Sequence, residues 1–123
     1  MIGDNIIVLD KVPSTNKFLK DNWQKFPSET VVWALEQTEA YGRKKDKWYA
    51  PFGGLWFSVL FKPRKRPLIP YYYVRMYSLA VVDLLKRRYN LEAIIKWPND
   101  ILVDEKKICG ILGESIYSGD KPS

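Results

Sequence analysis

A chain of 123 residues with 46% hydrophobic and 28% charged residues has material for one packed core and is short for two domains. Its apolar runs are too short to cross a bilayer, and "MIGDNIIVLD" lacks the basic start and apolar centre of a secretory signal, so the cytoplasm is the expected compartment. Twenty Lys and Arg against fourteen Asp and Glu leave a formal charge of +6, there is no histidine, and the single cysteine, Cys109, has no internal disulfide partner.

Without histidine, catalysis must proceed without an imidazole base, and a metal must be held by carboxylates, amides or a substrate's phosphates, which suits magnesium. The excess cations cluster in "GRKKDKW", "FKPRKRP" and "LKRRYN". Such a surface attracts nucleic acid nonspecifically, and equally nucleotides, CoA-like anions and acidic proteins. In "LKRRYN" the cations also suit a helix C-terminus, where the macrodipole favours them.

In chain order, "NIIVLD" reads as a strand followed by the turn "KVPSTN". Ser14 or Thr15 can cap a helix with Phe18, Leu19, Trp23 and Phe26 on one face, and Pro27 ends it. "TVVWALEQT" is a second strand, β-branched and aromatic. "EAYGRKKDKWYAPFGG" has no periodicity and reads as a long loop, usually a functional or disordered feature in a compact domain. "LWFSVLF" is apolar on both alternate faces and predicts a central strand covered on both sides. The basic, proline-rich "KPRKRPLIP" leads to the strongest helix, roughly 71–89, with Tyr73, Tyr77, Ala80 or Val81, and Leu84 as its core stripe. "EAIIKW" is another strand, and "NDILVDEKKICGIL" predicts a hairpin turning near Asp104-Glu105. Cys109 in "KICGIL" reads as a small buried hydrophobe. The fold class is α+β, with two helices able to pack on one face of a mixed sheet. "KKICGILGESIY" reads as a strand with little following chain to pair with it, which predicts an incomplete domain.

Four polar clusters sit at strand ends or helix starts. "STN" at 14–16 offers free N–H groups and hydroxyls at a helix N-terminus, or is a plain cap. "YGRKKDKW" joins a glycine to Arg43, Lys44, Lys45 and Lys47, ingredients of a phosphate-gripping loop, with Trp48 and Tyr49 as flat faces for a base. It lacks the spacing of a P-loop or a dinucleotide fingerprint, and a solvated loop explains the charges as well. Gly53-Gly54 marks a tight turn or a close ligand approach. Lys96, Asn99, Asp100 and Lys107 gather two cations, an amide and a carboxylate near one hairpin end. That set suits a magnesium nucleotide reacting with a carboxylate.

In this order and spacing, "STN", "EQTEAYGRKKDKW", "PFGGLWFSVLF" and "KWPNDILVDEKKICGILGE" closely resemble biotin-protein ligase, the biotin-[acetyl-CoA-carboxylase] ligase family, from about Asp10 to Glu114. The KWPND segment followed by K-x-x-G-I-L is the most specific part. The resemblance implies a class II aminoacyl-tRNA synthetase-like biotin/lipoate ligase catalytic domain. It implies ATP- and magnesium-dependent activation of biotin to biotinyl-5′-AMP, then transfer to a lysine of a biotin carboxyl carrier domain. Neither step needs a histidine, since both depend on positioning and charge neutralisation.

Carried over position by position, the resemblance places Ser14, Thr15 and Asn16 at biotin's ureido ring, with Gln37 also contacting biotin. It places Gly42 and Arg43 in the loop over biotin and its adenylate, and Trp48 against the adenine. Lys96, Asn99 and Asp100 fall at the nucleotide end, with Asp100 a magnesium ligand. Lys107 falls at the biotin carboxylate and α-phosphate; Lys107 and Arg43 are the expected catalytic side chains. The family's G-R-G-R-R-G-R loop reads "AYGRKKD" here, with Ala40, Tyr41, Lys45 and Asp46 replacing a glycine, an arginine, a glycine and an arginine. Fewer glycines predict a stiffer loop, and fewer arginines a weaker grip on the adenylate.

Residues 1–123 are thereby expected to be an incomplete catalytic domain. No helix-turn-helix precedes the first strand, which argues against a repressor function, and the family's next strand, its G-I-G-I-N-like segment and its C-terminal β-barrel do not follow. A homodimer is compatible with the resemblance; no specific nucleic acid and no membrane are expected as partners. The rival readings are a lipoate-protein ligase-like acyltransferase, an inactive fragment that binds biotin or pairs through its strands, and a basic nucleic-acid-binding module.

Overall fold

The computed structural model describes residues 1–63, 72–97, 99–115, 117–118 and 121–122, of which 45, 117, 118, 121 and 122 contribute backbone only. Most of the basic connector "KPRKRPLIP" lies outside these residues, as does Pro98. The chain forms two compact units, Met1–Arg66 with Glu114–Ser123, and Pro67–Gly113.

In the first unit, β1 (Ile6–Val12) runs parallel to β2 (Val31–Gln37), and β2 pairs antiparallel with β3 (Trp56–Val59). Helix α1 (Thr15–Asn22) connects β1 to β2, as a parallel pair requires. It begins where Ser14, in extended conformation, accepts the Lys17 N–H on its hydroxyl. The predicted continuation through Phe26 is instead a 3₁₀ turn over Trp23–Lys25, closed by the Phe26 N–H on the Trp23 carbonyl. Leu19, Val32 and Leu60 form the core, flanked by Ile7, Leu9, Phe18, Trp23 and Phe26. A short pair, β7 (Tyr117–Ser118) and β8 (Lys121–Pro122), completes the described strands of this unit.

The central strand is β2, not the predicted "LWFSVLF" segment, which supplies the last strand in the order β1-β2-β3. Within it Ser58 is buried while Phe57 is half exposed. An apolar run does not separate a covered strand from a short strand set between turns. Here Gly53, at a positive φ of 111°, makes the turn before the strand. Trp56 folds back over Gly54, where a Cβ would lie 2.1 Å from the indole, and donates to the Pro51 carbonyl at 2.8 Å. The glycine pair is thus explained by the turn and the packing of Trp56.

In the second unit, α2 (Tyr72–Tyr89) packs against β4 (Ala93–Lys96) and β5 (Asp100–Val103). The sheet order is β4-β5-β6, antiparallel throughout, with β6 spanning Lys106–Gly110. Among the described residues, α1 packs on β2 and β3 and α2 on β4 and β5, in keeping with the predicted α+β class. The buried positions of α2 are Val74 and Ser78, with Tyr73, Tyr77 and Val81 partly covered, while Ala80 and Leu84 of the predicted stripe are exposed. The stripe is shifted by one position because a small serine, whose hydroxyl returns to the Val74 carbonyl, takes the most enclosed place. The helix ends at Asn90, left-handed at φ 52°, with the Leu91 N–H on the Leu85 carbonyl. Lys86, Arg87 and Arg88 fill its last turn, as the dipole favours.

The hairpin turn falls at Asp104-Glu105 as predicted, both residues having positive φ, 51° and 65°. That geometry belongs to a two-residue turn that glycine occupies without strain. Glu105→Gly is expected to raise stability by up to about 1 kcal/mol, measured as a shift in the urea midpoint at unchanged slope.

Candidate functional site

The segment after β2 is not the structureless loop its composition predicts. Gln37 bridges to Ala50 and Tyr41 to Lys47, both antiparallel, so residues 37–50 form an irregular hairpin. Its tip closes through the Gly42 N–H on the Asp46 carbonyl at 2.7 Å and the Asp46 N–H on the Arg43 carbonyl at 3.2 Å. Lys44, at φ 57°, makes the reversal. Arg43, Lys44 and Lys47 are exposed at this tip, and Trp48 is partly buried beside it. Gly42 permits that contact: a Cβ there would stand 2.7 Å from the Trp48 Nε1.

The hairpin starts beside the N-terminus of α1, where the Thr38 and Glu39 N–H groups meet the Val12 and Pro13 carbonyls. This juxtaposition assembles a chain of polar side chains. The Gln37 Oε1 accepts the Thr15 N–H at 2.7 Å and lies 3.1 Å from the Thr15 hydroxyl. The Thr15 hydroxyl meets the Ser58 hydroxyl at 2.6 Å, and Ser58 donates to the Asn16 Oδ1. The Asn16 Nδ2 donates to the Glu114 Oε1 at 3.0 Å. Tyr41 donates to the same oxygen at 2.6 Å, and the Lys20 ammonium reaches Oε2 at 2.9 Å. Thr15 and Ser58 are buried and satisfy one another, while Gln37 and Asn16 are partly covered and Glu114 lies at the exposed end of this polar chain.

Burial pushes the Glu114 carboxyl up, but hydrogen bonds from Lys20, Tyr41 and Asn16 outweigh it and hold the group below its ordinary value. The hydrogen bond to Glu114 raises Lys20. Burial, then the hydrogen bond to Glu114, raises Tyr41. A carboxylate whose folded pKa is depressed contributes stability that is fully present above its unfolded pKa and lost as pH falls through the folded value. Urea unfolding should therefore show stability falling as pH drops below the ordinary glutamate range, with a shallower fall in Glu114→Gln.

In the second unit, Lys96 stands opposite Asp100, and Lys107 opposite Leu102. Directly opposed residues and residues two apart share a face, so Lys96, Asp100 and Lys107 lie on one face of the sheet. The Lys107 ammonium pairs with the Asp100 carboxylate at 3.0 Å. A register shift between Ile101 and Leu102 leaves Ile108 as the extra residue of a bulge beside Lys107. Asn99 is held just before β5, its carbonyl accepting the Ile111 N–H at 2.9 Å. Cys109 is partly buried, and desolvation pushes its thiol up, as a packing residue rather than a nucleophile requires.

The predicted residues thus group within their units: Ser14, Thr15, Asn16, Gln37, Gly42, Arg43 and Trp48 in the first, Lys96, Asn99, Asp100 and Lys107 in the second. Ser14 differs from its neighbours, because its hydroxyl accepts the helix-capping bond. Ser58, Lys20, Tyr41 and Glu114 complete the polar chain without having been predicted. Ser58 carries a legible signal, a lone hydroxyl within "LWFSVLF"; Glu114 carries none in isolation. An open apolar depression of about 210 Å³ lies between α2 and β4, lined by Arg75, Ser78, Leu79, Ile95 and Trp97, and none of the polar cluster lines it.

The Biotin/lipoate A/B protein ligase family matches residues 8–122. The chain is 34% identical to the Bacillus subtilis bifunctional ligase/repressor BirA over 98% of its own length and 38% of that protein's. It is 31% identical to the chloroplastic biotin–protein ligase 1 of Arabidopsis thaliana over 97% of its length and 34% of that protein's. Among solved structures, the Aquifex aeolicus biotin protein ligase in complex with biotin and ATP superposes with a TM-score of 0.82 at 33% identity, covering 97% of this chain and 49% of that one. The Leishmania major biotin protein ligase in complex with biotinyl-5-AMP gives 0.70 at 28% identity, covering 95% and 53%. This chain therefore spans little more than a third of those curated relatives and about half of those solved chains. With a family match over nearly all of its residues and an α+β fold shared with those ligases, the chain belongs to the biotin/lipoate A/B protein ligase family.

Proposed function

We propose that the protein takes part in activating biotin with ATP to biotinyl-5′-AMP and in passing biotin to a lysine of a biotin carboxyl carrier protein, as a biotin-[acetyl-CoA-carboxylase] ligase. The observation that carries this reading is the partly buried polar chain Gln37–Thr15–Ser58–Asn16 at the start of α1, in a fold whose relatives are solved with biotin and ATP. An array of amides and hydroxyls is suited to a neutral polar head such as a ureido ring.

In the first step an oxygen of the biotin carboxylate attacks the α-phosphorus, a P–O bond forms, and pyrophosphate leaves. In the second the carrier's amine attacks the acyl carbon, AMP leaves, and the amine loses a proton. Lys107 neutralises charge on the reacting carboxylate and α-phosphate, and Arg43, with Gly42, belongs to the loop that grips the adenylate. Trp48 packs against adenine, while Lys96 and Asn99 attend the nucleotide. Magnesium fits Asp100: a single hard carboxylate suits an ion shared with the triphosphate, as magnesium sites commonly are. Among the described residues no group of three or more Asp, Glu or Cys forms a complete protein cage. When bound, the ion would screen phosphate charge.

On this reading residues 1–123 form the part of a catalytic domain that carries the biotin and nucleotide residues, in a cytoplasmic protein. Among the described residues no helix is long and apolar enough to cross a membrane. Incubation with ATP labelled at the α-phosphate and either biotin or lipoate tests the reading. Labelled biotinyl-AMP with biotin is the expected result; an adenylate made only with lipoate would reassign the substrate within the family.

A further inference from the structure

We propose that Glu114 is a positioning residue for biotin, acting through Asn16, and that it sets the direction of the hydrogen bonds from Asn16 through Ser58 to the Thr15 hydroxyl. The inference rests on the biotin reading above and adds to it a residue and a physical role. An ionised carboxylate only accepts hydrogen bonds. Glu114 therefore obliges Asn16 to present its Nδ2, which it does at 3.0 Å, and so turns the Asn16 Oδ1 toward Ser58. Ser58 spends its single proton on that oxygen, so the 2.6 Å contact between Ser58 and Thr15 must take the proton of Thr15. That proton is then not available to the Gln37 Oε1, 3.1 Å from the Thr15 hydroxyl; the Thr15 backbone N–H, which can only donate, holds that oxygen at 2.7 Å and leaves the Gln37 Nε2 as the donor end.

Ser58 and Thr15 each have one hydroxyl proton to give, so the sense of the Asn16–Ser58–Thr15 segment follows from the charge at its end. An asparagine amide is otherwise nearly symmetric in shape, and turning it over would exchange donors for acceptors along the line. Two further contacts keep the anchor ionised and in place: Lys20 at 2.9 Å from α1, and Tyr41 at 2.6 Å from the hairpin that carries Gly42 and Arg43. Tyr41, just before the tip, thereby ties that hairpin to the same carboxylate that aims Asn16. An arginine at position 41 would bring a second cation to Glu114 instead of a hydroxyl.

The test reads the amide directly and needs no ligand. In ¹⁵N-labelled protein, the Asn16 Nδ2 signals should shift in acid while the backbone signals remain those of the folded protein, because Lys20 and Tyr41 keep their protons throughout that range. Glu114→Gln should move those signals and abolish their response to acid. Asn16 signals that ignore both acid and the substitution would overturn the proposal. Calorimetry with biotin supplies the second arm: Glu114→Gln should weaken binding by about tenfold or more through the misdirected amide. Equal affinity in both proteins would overturn the positioning role while leaving the biotin reading intact. Absence of biotin binding by the unmodified protein would count against the biotin reading, and with it the role in biotin binding, whereas the Asn16 signals would still decide whether Glu114 orients the amide.

Discussion

Replacing Lys107 with alanine should abolish adenylate formation, by about a hundredfold or more, while the protein stays folded. The side chain is 41% exposed and its partner Asp100 25%, so their ion pair at 3.0 Å is largely solvated and worth about 1 kcal/mol or less to stability. On the proposed reading its contribution is to the chemistry: it is a cation on the same face as Asp100 and Lys96, beside the bulge at Ile108. Lys106 is the internal control. Adjacent strand residues point to opposite faces, so Lys106→Ala should leave the rate near its original value. Adenylate production measured for both variants, with circular dichroism as the check on folding, decides the matter. A normal rate in Lys107→Ala would remove the residue from the reaction.

Gly42→Ala should separate nucleotide use from biotin binding. The Gly42 backbone, at φ −106°, is open to any residue, so alanine brings no conformational strain there. Its Cβ would instead come within 2.7 Å of the Trp48 Nε1 and 3.2 Å of the neighbouring ring carbon, and the indole has to move. If Trp48 is the face on which adenine packs, ATP-dependent turnover should fall by about tenfold, the scale of one lost stacking contact. Biotin affinity should fall by less than that, since Gly42 belongs to the loop over biotin but Gln37 and Thr15 are untouched. Comparing the ATP dependence of the rate with calorimetric biotin binding measures both, and equal losses in the two would contradict the separation.

Local signals in the sequence translated into structure where a single residue sets the geometry. Ser14 caps α1, Asp104-Glu105 turns the hairpin, and Gly53 makes the turn before β3. They were legible because capping and positive φ depend on neighbours within a few residues. Global features were less legible. The double-sided apolarity of "LWFSVLF" suggested a central strand, yet β2 takes the middle and Phe57 stays half exposed. The α2 stripe was displaced because its most enclosed position holds Ser78, whose hydroxyl bonds within the helix and so escapes a hydrophobic pattern.

The candidate site divides the same way. Thr15, Asn16 and Gln37 were visible as polar residues at a helix start and a strand end, and the structure joins them through hydrogen bonds. Glu114 was not visible, because it lies 98 positions from Asn16 along the chain and no periodicity connects them. The hairpin at 37–50 was hidden for another reason. Its order comes from two isolated bridges and a glycine that admits an indole, not from alternating side chains.

Titration of biotin into the protein by calorimetry, followed by magnesium-ATP, addresses the central claim most directly. The account predicts one biotin site, weakened in Thr15→Ala, and a second heat with ATP that is lost in Lys107→Ala. No heat with biotin at millimolar concentration, or an equal response from Thr15→Ala, would contradict it.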